Sequence, residues 1–265
     1  VVEKSQDGFF QHPVRKIAAG RRARGPDLYR LLKELLYMPR LIQKEIDKLK
    51  AHAVQMGTII EENLQQAVKS LLDKDPELAR QAIRTDKEEI DRLEIGLEEE
   101  CLRIMALHQP VASDLRFLVT VLKINNDLER IGDLAAKIAD KVLLLYEMNP
   151  AAFSSQAMLM PAIFSGMHEK TLWMYKKTMD AFVNEDTDLA YRVCITDDEV
   201  DEAKQAIRHE LEEIITANPA QHVYLAKLLG IARSMERIAD HCTSICEDII
   251  YMAQGRIVRH GLTGG

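Results

Sequence analysis

Two hexapeptides carry the residues of this chain best suited to chemistry: Leu128-Glu129-Arg130-Ile131-Gly132-Asp133 and Met235-Glu236-Arg237-Ile238-Ala239-Asp240. Each reads hydrophobic-Glu-Arg-Ile-small-Asp and sets two carboxylates four residues apart, which on a helix stacks them on one face. Like charges at that spacing destabilise a helix slightly, so a lone pair reads as a solvated face, partly neutralised by Arg130 or Lys137. The same pair in both halves of one chain reads as a site. A further set of acids precedes each pair: Asp86, Glu88, Glu89 and Asp91, then Asp197, Asp198, Glu199 and Asp201. If the helices bearing them are neighbours, Asp86 and Asp91 face Glu129 and Asp133, and Asp197 and Asp201 face Glu236 and Asp240. Such hard oxygen donors suit Mg²⁺, Mn²⁺, Ca²⁺ or iron. With so few His or Cys among them, zinc is less favoured on donor chemistry alone.

The other reactive residue types point elsewhere. His241 reads as a surface histidine beside Asp240. Cys242 lies on an apolar stripe with Cys246 one turn on, so both read as small buried hydrophobes. No Glu-x-x-His, phosphate-binding loop, dinucleotide fingerprint or His-Glu-x-x-His occurs, and no nucleophile stands beside a base. A carboxylate-bridged metalloenzyme, a phosphatase or an oxidase, is the competing reading, because two metals can activate water without histidine. Convex helix faces make poor substrate pockets, which weighs against it.

The elements that position these acids are helical. Leu, Ala, Ile, Glu, Lys and Arg dominate, with only 12 Gly and 8 Pro in 265 residues. Residues 1–25 mix Arg15, Lys16, Arg21, Arg22 and Arg24 with Gly and Ala and read as a disordered tail. Pro26-Asp27 opens a short amphipathic stretch that Pro39 is expected to interrupt. A long helix follows over about 41–73. Asp75-Pro76 restarts the next, with Asp as N-cap and Pro in the first turn. The third carries Phe117, Val121, Ile124, Leu128, Ile131, Ala135, Ile138, Val142 and Leu145 as an unbroken core stripe, leaving Glu129 and Asp133 off it. The second half repeats this order. Asp186-Thr187 stands for Asp75-Pro76, Thr196-Asp197 with Val200-Asp201 for Thr85-Asp86 with Ile90-Asp91, and Asn218-Pro219 for Gln109-Pro110. Six main helices follow, at about 41–73, 76–107, 111–147, 156–184, 187–217 and 219–254. They form an all-α chain of two pseudo-symmetric antiparallel three-helix bundles without a sheet. The expected divisions are an N-terminal extension 1–38, a first bundle 39–150, a second bundle 151–259 and a tail 260–265.

Charge and composition exclude other classes. A net charge of −7 disfavours nucleic acid. No apolar run approaches a membrane span and no signal peptide is visible, so at most peripheral membrane contact is expected. Four cysteines without scaffold spacing suit a reducing, cytoplasmic setting.

With these features in place, the sequence resembles the PhoU family of phosphate-signalling regulators. The resemblance rests on His108-Gln109-Pro110-Val111-Ala112-Ser113-Asp114-Leu115-Arg116, on Asp127 through Asp133, and on Ala232 through Asp240 followed by Ile245-Cys246-Glu247. It covers about 41–259. Ala239 departs from the usual Gly, and residues 1–38 lie outside the match. The resemblance implies two three-helix bundles and carboxylate motifs holding multinuclear metal clusters of iron or zinc, with magnesium or manganese also proposed. It implies a non-enzymatic, dimeric, cytoplasmic regulator that links the ATPase subunit of a phosphate ABC transporter to a phosphate-sensing histidine kinase. Such a regulator represses the starvation response when phosphate is plentiful. Similar domains occur fused to sodium–phosphate cotransporters, which is a further alternative.

Overall fold

A computed structural model describes the backbone of residues 25–154, 163–217 and 219–256. The chain divides into two compact units, Val1–Glu45 and Ile46–Gly265. The described part of the first is helical from Gly25, within helix α1 (Gly25–Leu72). The expected disordered tail falls almost wholly outside the described residues. The expected interruption at Pro39 does not occur, and the backbone is helical through it. A proline removes one hydrogen bond from a helix, but strong helix formers on both sides propagate it past the gap.

The second unit holds the remaining elements. Helix α2 (Pro76–Thr85) passes through a π-helical turn (Asp86–Ile90) into α3 (Asp91–His108). Helices α4 (Ala112–Met148), α5 (Pro150–Ser154), α6 (Ile163–Asn184) and α7 (Thr187–Ala217) follow. A 3₁₀ turn (Pro219–Gln221) leads into α8 (His222–Gln254). No strand occurs among the described residues, and the six expected long helices are present, α2 and α3 counting as one. Two boundaries differ. The segment after Asn149, expected as loop, starts with the short α5, where Pro150 fits a first turn and Phe153 packs edge-on to Tyr146 at 5.9 Å. The last helix starts at His222 rather than Pro219, because a tighter turn absorbs the intervening residues.

The duplication is visible in the caps. Asp75 Oδ1 accepts the N–H of Glu77 at 2.8 Å and of Leu78 at 3.4 Å. Asp186 Oδ1 accepts the N–H of Leu189 at 2.9 Å at the matching helix start. Each cap stabilises its helix by about 1 kcal/mol.

Both core stripes face inward. Val121, Leu128, Ile131, Ala135, Ile138 and Val142 on α4 are fully buried, as are Leu228, Ile231, Met235, Ile238, Cys242, Ile245 and Ile249 on α8. These two helices pack against each other antiparallel. Arg116 Nε donates to the Met252 carbonyl (2.9 Å), Lys123 Nζ to Asp248 Oδ1 (2.9 Å) and Lys141 Nζ to Ser234 Oγ (3.3 Å), so partner numbers fall as α4 ascends. With Glu129 matched to Glu236, Lys123 corresponds to Gly230 and Lys141 to Asp248. The Lys123–Asp248 contact therefore recurs in mirror order as Lys141 lying over Gly230. A Cβ at Gly230 would stand 2.9 Å from Lys141 Cε, so the missing side chain is what admits the lysine. On the other side of this seam α1 meets α6, where the buried Tyr175 hydroxyl donates to the Gly57 carbonyl at 2.7 Å. Helices α2–α3 and α7 pack on α4 and α8 within their own halves, and these outer seams hold the acids.

Candidate metal-binding acid faces

In the first half the acids meet at the π turn. Asp86 opens that turn and is only 6% exposed. Its Oδ1 lies against Gly132 of α4, where a Cβ would come within 3.0 Å of the oxygen and 3.1 Å of Ile90 Cδ1. Glycine at 132 thus lets an acid and an apolar side chain of the outer helix reach the inner backbone. It sits between Glu129 and Asp133, so both carboxylates flank the approaching Asp86. They are half-buried, 23% and 32% exposed, rather than pointing fully to solvent. Burial pushes the Asp86 carboxyl from 3.8 up to about 6, with repulsion from Asp133, Asp91 and Glu129 adding to it and Lys137 opposing it. Burial also raises Glu129, opposed by Arg130 and reinforced by Asp133, Glu94 and Asp91.

The second half repeats the constellation without the π turn. Asp197 of α7 rises from 3.8 to about 7, by burial first and then by repulsion from Asp240, Asp201, Asp198 and Glu236. Asp240 is raised by burial, Glu236 and Asp201, against the pull of His241 and Lys204. The structure thus brings together, half by half, Asp86, Asp91, Glu129 and Asp133, and Asp197, Asp201, Glu236 and Asp240. Asp91 and Asp201 are exposed members of these sets, at the solvent edge beside Asp86 and Asp197. Glu88, Glu89, Asp198 and Glu199 are exposed too, and Glu199 pairs with Lys170 of α6.

Cations already lean on these faces. Arg130 reaches Glu129 at 3.3 Å and Asp133 at 3.4 Å, and Lys137 reaches Asp133 at 3.1 Å. Lys204 pairs with Glu236 and lies 3.6 Å from Asp201. Among the described residues no group of three or more His, Cys, Asp or Glu stands at metal-holding distance. In donor type and charge the faces nonetheless fit a hard cation: oxygen ligands only, and carboxyls whose ionised form is disfavoured by burial and by mutual repulsion, which a metal would relieve. Binding would require Lys137 and Lys204 to swing away.

The neighbouring residues resolve plainly. His241 is not a free surface group: its Nδ1 meets Asp127 Oδ1 at 2.9 Å across the α4–α8 seam, beside the acid face whose Asp240 it opposes in charge. Cys242 and Cys246 are fully buried, as their place on and beside the apolar stripe implies.

Two features escape a motif reading. One is Glu94, raised by burial and by Glu98 and Asp91, which extends the first acid face along α3. The other is the π turn, in which the Asp91 N–H bonds to the Asp86 carbonyl five residues back. Its signal is present in the spacing: Asp86 and Asp91 are five apart, whereas Asp197 and Asp201 are four apart. On a continuous α-helix the extra residue would rotate everything beyond it by about 100°. Widening one turn to the i→i+5 pattern absorbs it, so that Asp86 and Ile90 are buried and Leu97, Cys101 and Ile104 beyond the turn still face inward, with Asp91 at the solvent edge.

A duplicated all-α chain whose two outer seams gather carboxylates around a close-packed inner helix pair defines the class structurally. The family model described as the PhoU domain matches residues 53–142 and 164–249. The chain is 36% identical over 223 residues to the phosphate-specific transport system accessory protein PhoU homolog 1 of Thermotoga maritima, covering 84% of this chain and 93% of that one. It is 32% identical over 216 residues to the phosphate-specific transport system accessory protein PhoU of Escherichia coli, covering 82% and 86%. A crystal structure of PhoU from Pseudomonas aeruginosa matches with a TM-score of 0.73 at 32% identity, over 81% of this chain and 99% of that one. The chain belongs to the PhoU family. Its relatives are named as accessory proteins of phosphate transport and not as enzymes. No described helix is long and apolar enough to cross a membrane.

Proposed function

We propose that this protein is a metal-binding cytoplasmic regulator of phosphate uptake and phosphate-starvation signalling. As a homodimer it couples the ATPase subunit of a phosphate ABC transporter to a phosphate-sensing histidine kinase, and it represses the response when phosphate is plentiful. Family membership supports the phosphate-transport role, since the relatives are accessory proteins of phosphate-specific transport. The observation that carries the metal part is the duplication of the acid face. Asp86 and Asp197 are pushed up to about 6 and about 7, by burial first and by like-charged neighbours on matched seams second, and two solvated faces do not need that arrangement. Iron, magnesium or manganese suits the all-oxygen donors better than zinc.

Asp86 and Asp91 would hold a cation with Glu129 and Asp133, and Asp197 and Asp201 with Glu236 and Asp240. A cation bound there would favour the ionised forms of Asp86 and Asp197. The protein's own groups do the rest. Lys137, Arg130 and Lys204 neutralise the faces when no metal competes, and Gly132 keeps the outer helix close enough for both sides to contribute. A ligand or metal shifts a signalling balance only through different affinities for its two states.

The regulatory part is tested by the phosphorylation level of the kinase at high phosphate, with and without this protein. A lower level is expected with it, and no difference would sink the coupling. The metal part is tested by calorimetric titration of wild type and Asp133→Ala/Asp240→Ala. The double variant should bind metal at least tenfold more weakly with helix content unchanged, because the core stripes are untouched. Equal affinity and stoichiometry would make the carboxylates a solvated face only.

A further inference from the structure

The two halves share a helix plan but not a surface. Along the α3–α4 seam of the first half, Ile95 (55% exposed), Leu102 (52%), Leu115 (42%) and Val119 (37%) show large apolar side chains to solvent. Ile95 and Leu102 are seven apart on α3, and Leu115 and Val119 are four apart on α4, so each pair forms a helical stripe. The two stripes belong to one surface. The Asn125 amide of α4 donates to the Glu94 carbonyl of α3 at 2.9 Å, which fixes the antiparallel register and sets Leu102 level with the start of α4. On the helical wheel Leu115 falls at the angle of Asp133, and Val119 about 40° further round, toward the side whose Arg116, Lys123 and Asp127 meet α8.

At the matched positions the second half carries Gln205, Glu212, His222 and Ala226. The charges invert as well: Glu94 and Glu98 correspond to Lys204 and Arg208. One copy of the duplicated seam is therefore apolar with Glu94 and Glu98 beside it, and the other is polar, with Lys204 and Arg208 at those two positions. Core packing does not explain the difference, since these side chains are on the outside in both halves.

We propose that the α3–α4 seam is a docking groove for an amphipathic helix of a protein partner, its apolar face on Leu102, Leu115, Val119 and Ile95 and its flanking Lys or Arg on Glu98 and Glu94. Helix-in-groove recognition uses spaced apolar anchors of this kind. The acidic border selects basic flanks and disfavours the anionic surface of a membrane. A second copy of this chain fits less well, since a two-fold contact of this seam with itself would set the Glu94 and Glu98 borders of the two copies against each other. The inference goes beyond the function proposed above, and its assay needs neither phosphate nor metal, so its failure leaves that reading standing.

The test is fluorescence anisotropy of two synthetic helical peptides with one leucine pattern, flanked by Lys in one and by Glu in the other, at about 0.15 M salt. The Leu/Lys peptide should bind wild type at one per chain and bind the Leu/Glu version's site at least tenfold more tightly than that version does. Ile95→Gln/Leu102→Glu/Leu115→His/Val119→Ala installs side chains that the other half already carries at these helix positions. It should weaken binding at least tenfold, and Glu98→Arg several-fold. No binding by wild type, equal binding by the quadruple variant, or equal binding of both peptides overturns the proposal. So does a wild-type dimer in sedimentation that the quadruple variant dissociates, which makes the occupant a second copy. Binding to phosphatidylserine vesicles that the quadruple variant loses assigns the seam to a membrane and overturns it equally.

Discussion

Deleting Glu88 should leave the protein folded, whereas deleting Glu199 should unfold the second half. The two residues occupy corresponding turns, both are exposed glutamates, and both deletions move the net charge equally. They differ in what the backbone does around them. Glu88 lies in the π turn Asp86–Ile90, so its loss converts an i→i+5 turn into an ordinary one and restores the four-residue spacing seen at Asp197 and Asp201. Ile90, Leu97, Cys101 and Ile104 keep their inward direction. Glu199 lies in continuous α-helix, so its loss rotates everything beyond it by about 100° and withdraws it by about 1.5 Å. Val200, Ala203, Ile207 and Leu211 would then leave the core. At about 1.5–3 kcal/mol for each large side chain, that is on the order of the whole stability of a domain. Urea denaturation should show the Glu88 deletion within about 1 kcal/mol of wild type and no cooperative second half in the Glu199 deletion. Similar losses from both would show that the π turn is no accommodation of an extra residue.

What could be read without the structure follows the range of the forces involved. Helix identity, the Asp75 and Asp186 caps and the core stripes are local or periodic, and Val121 through Val142 are buried where the period puts them. The acid pairs were legible because duplication marked them. The depth of Asp86 was not, since it depends on a missing side chain at Gly132 on another helix. The pairing of His241 with Asp127 likewise depends on how α4 and α8 cross, which no local pattern encodes. Pro39 misled in the other direction. A residue that breaks helices on average sits inside one, because the sequence around it is strongly helix-forming. The π turn lay between these cases: visible as a spacing of five against four, but with no consequence until the two halves are held to the same seam.

In metal-free solution the protein should become less stable as pH rises from about 4 to 8, and Asp86→Asn/Asp197→Asn should remove much of that loss. The folded carboxyls of Asp86 and Asp197 hold protons up to about 6 and about 7, against 3.8 ordinarily. Between those values the folded state binds more protons than the unfolded state, so stability falls with increasing pH. The contribution is fully present below about 4 and is lost as pH passes through the folded values. Glu94, Glu129 and Asp240 are raised too and act with the same sign, so the variant keeps part of the slope. Asp86 is almost wholly buried while Asp197 is partly open to solvent, so the second contribution is screened. Together they should make the double variant more stable than wild type at pH 8 by on the order of 2–4 kcal/mol, a difference that vanishes near pH 4. Asparagine keeps the shape of the side chain and cannot ionise, so the comparison isolates charge. Adding manganese at pH 8 should then reverse the order: it stabilises wild type by binding the folded state alone and does little for the variant. Thermal melts with chelator across this pH range, repeated with manganese, decide it. Parallel curves for the two proteins would mean that burial and mutual repulsion do not raise these two carboxyls enough to matter.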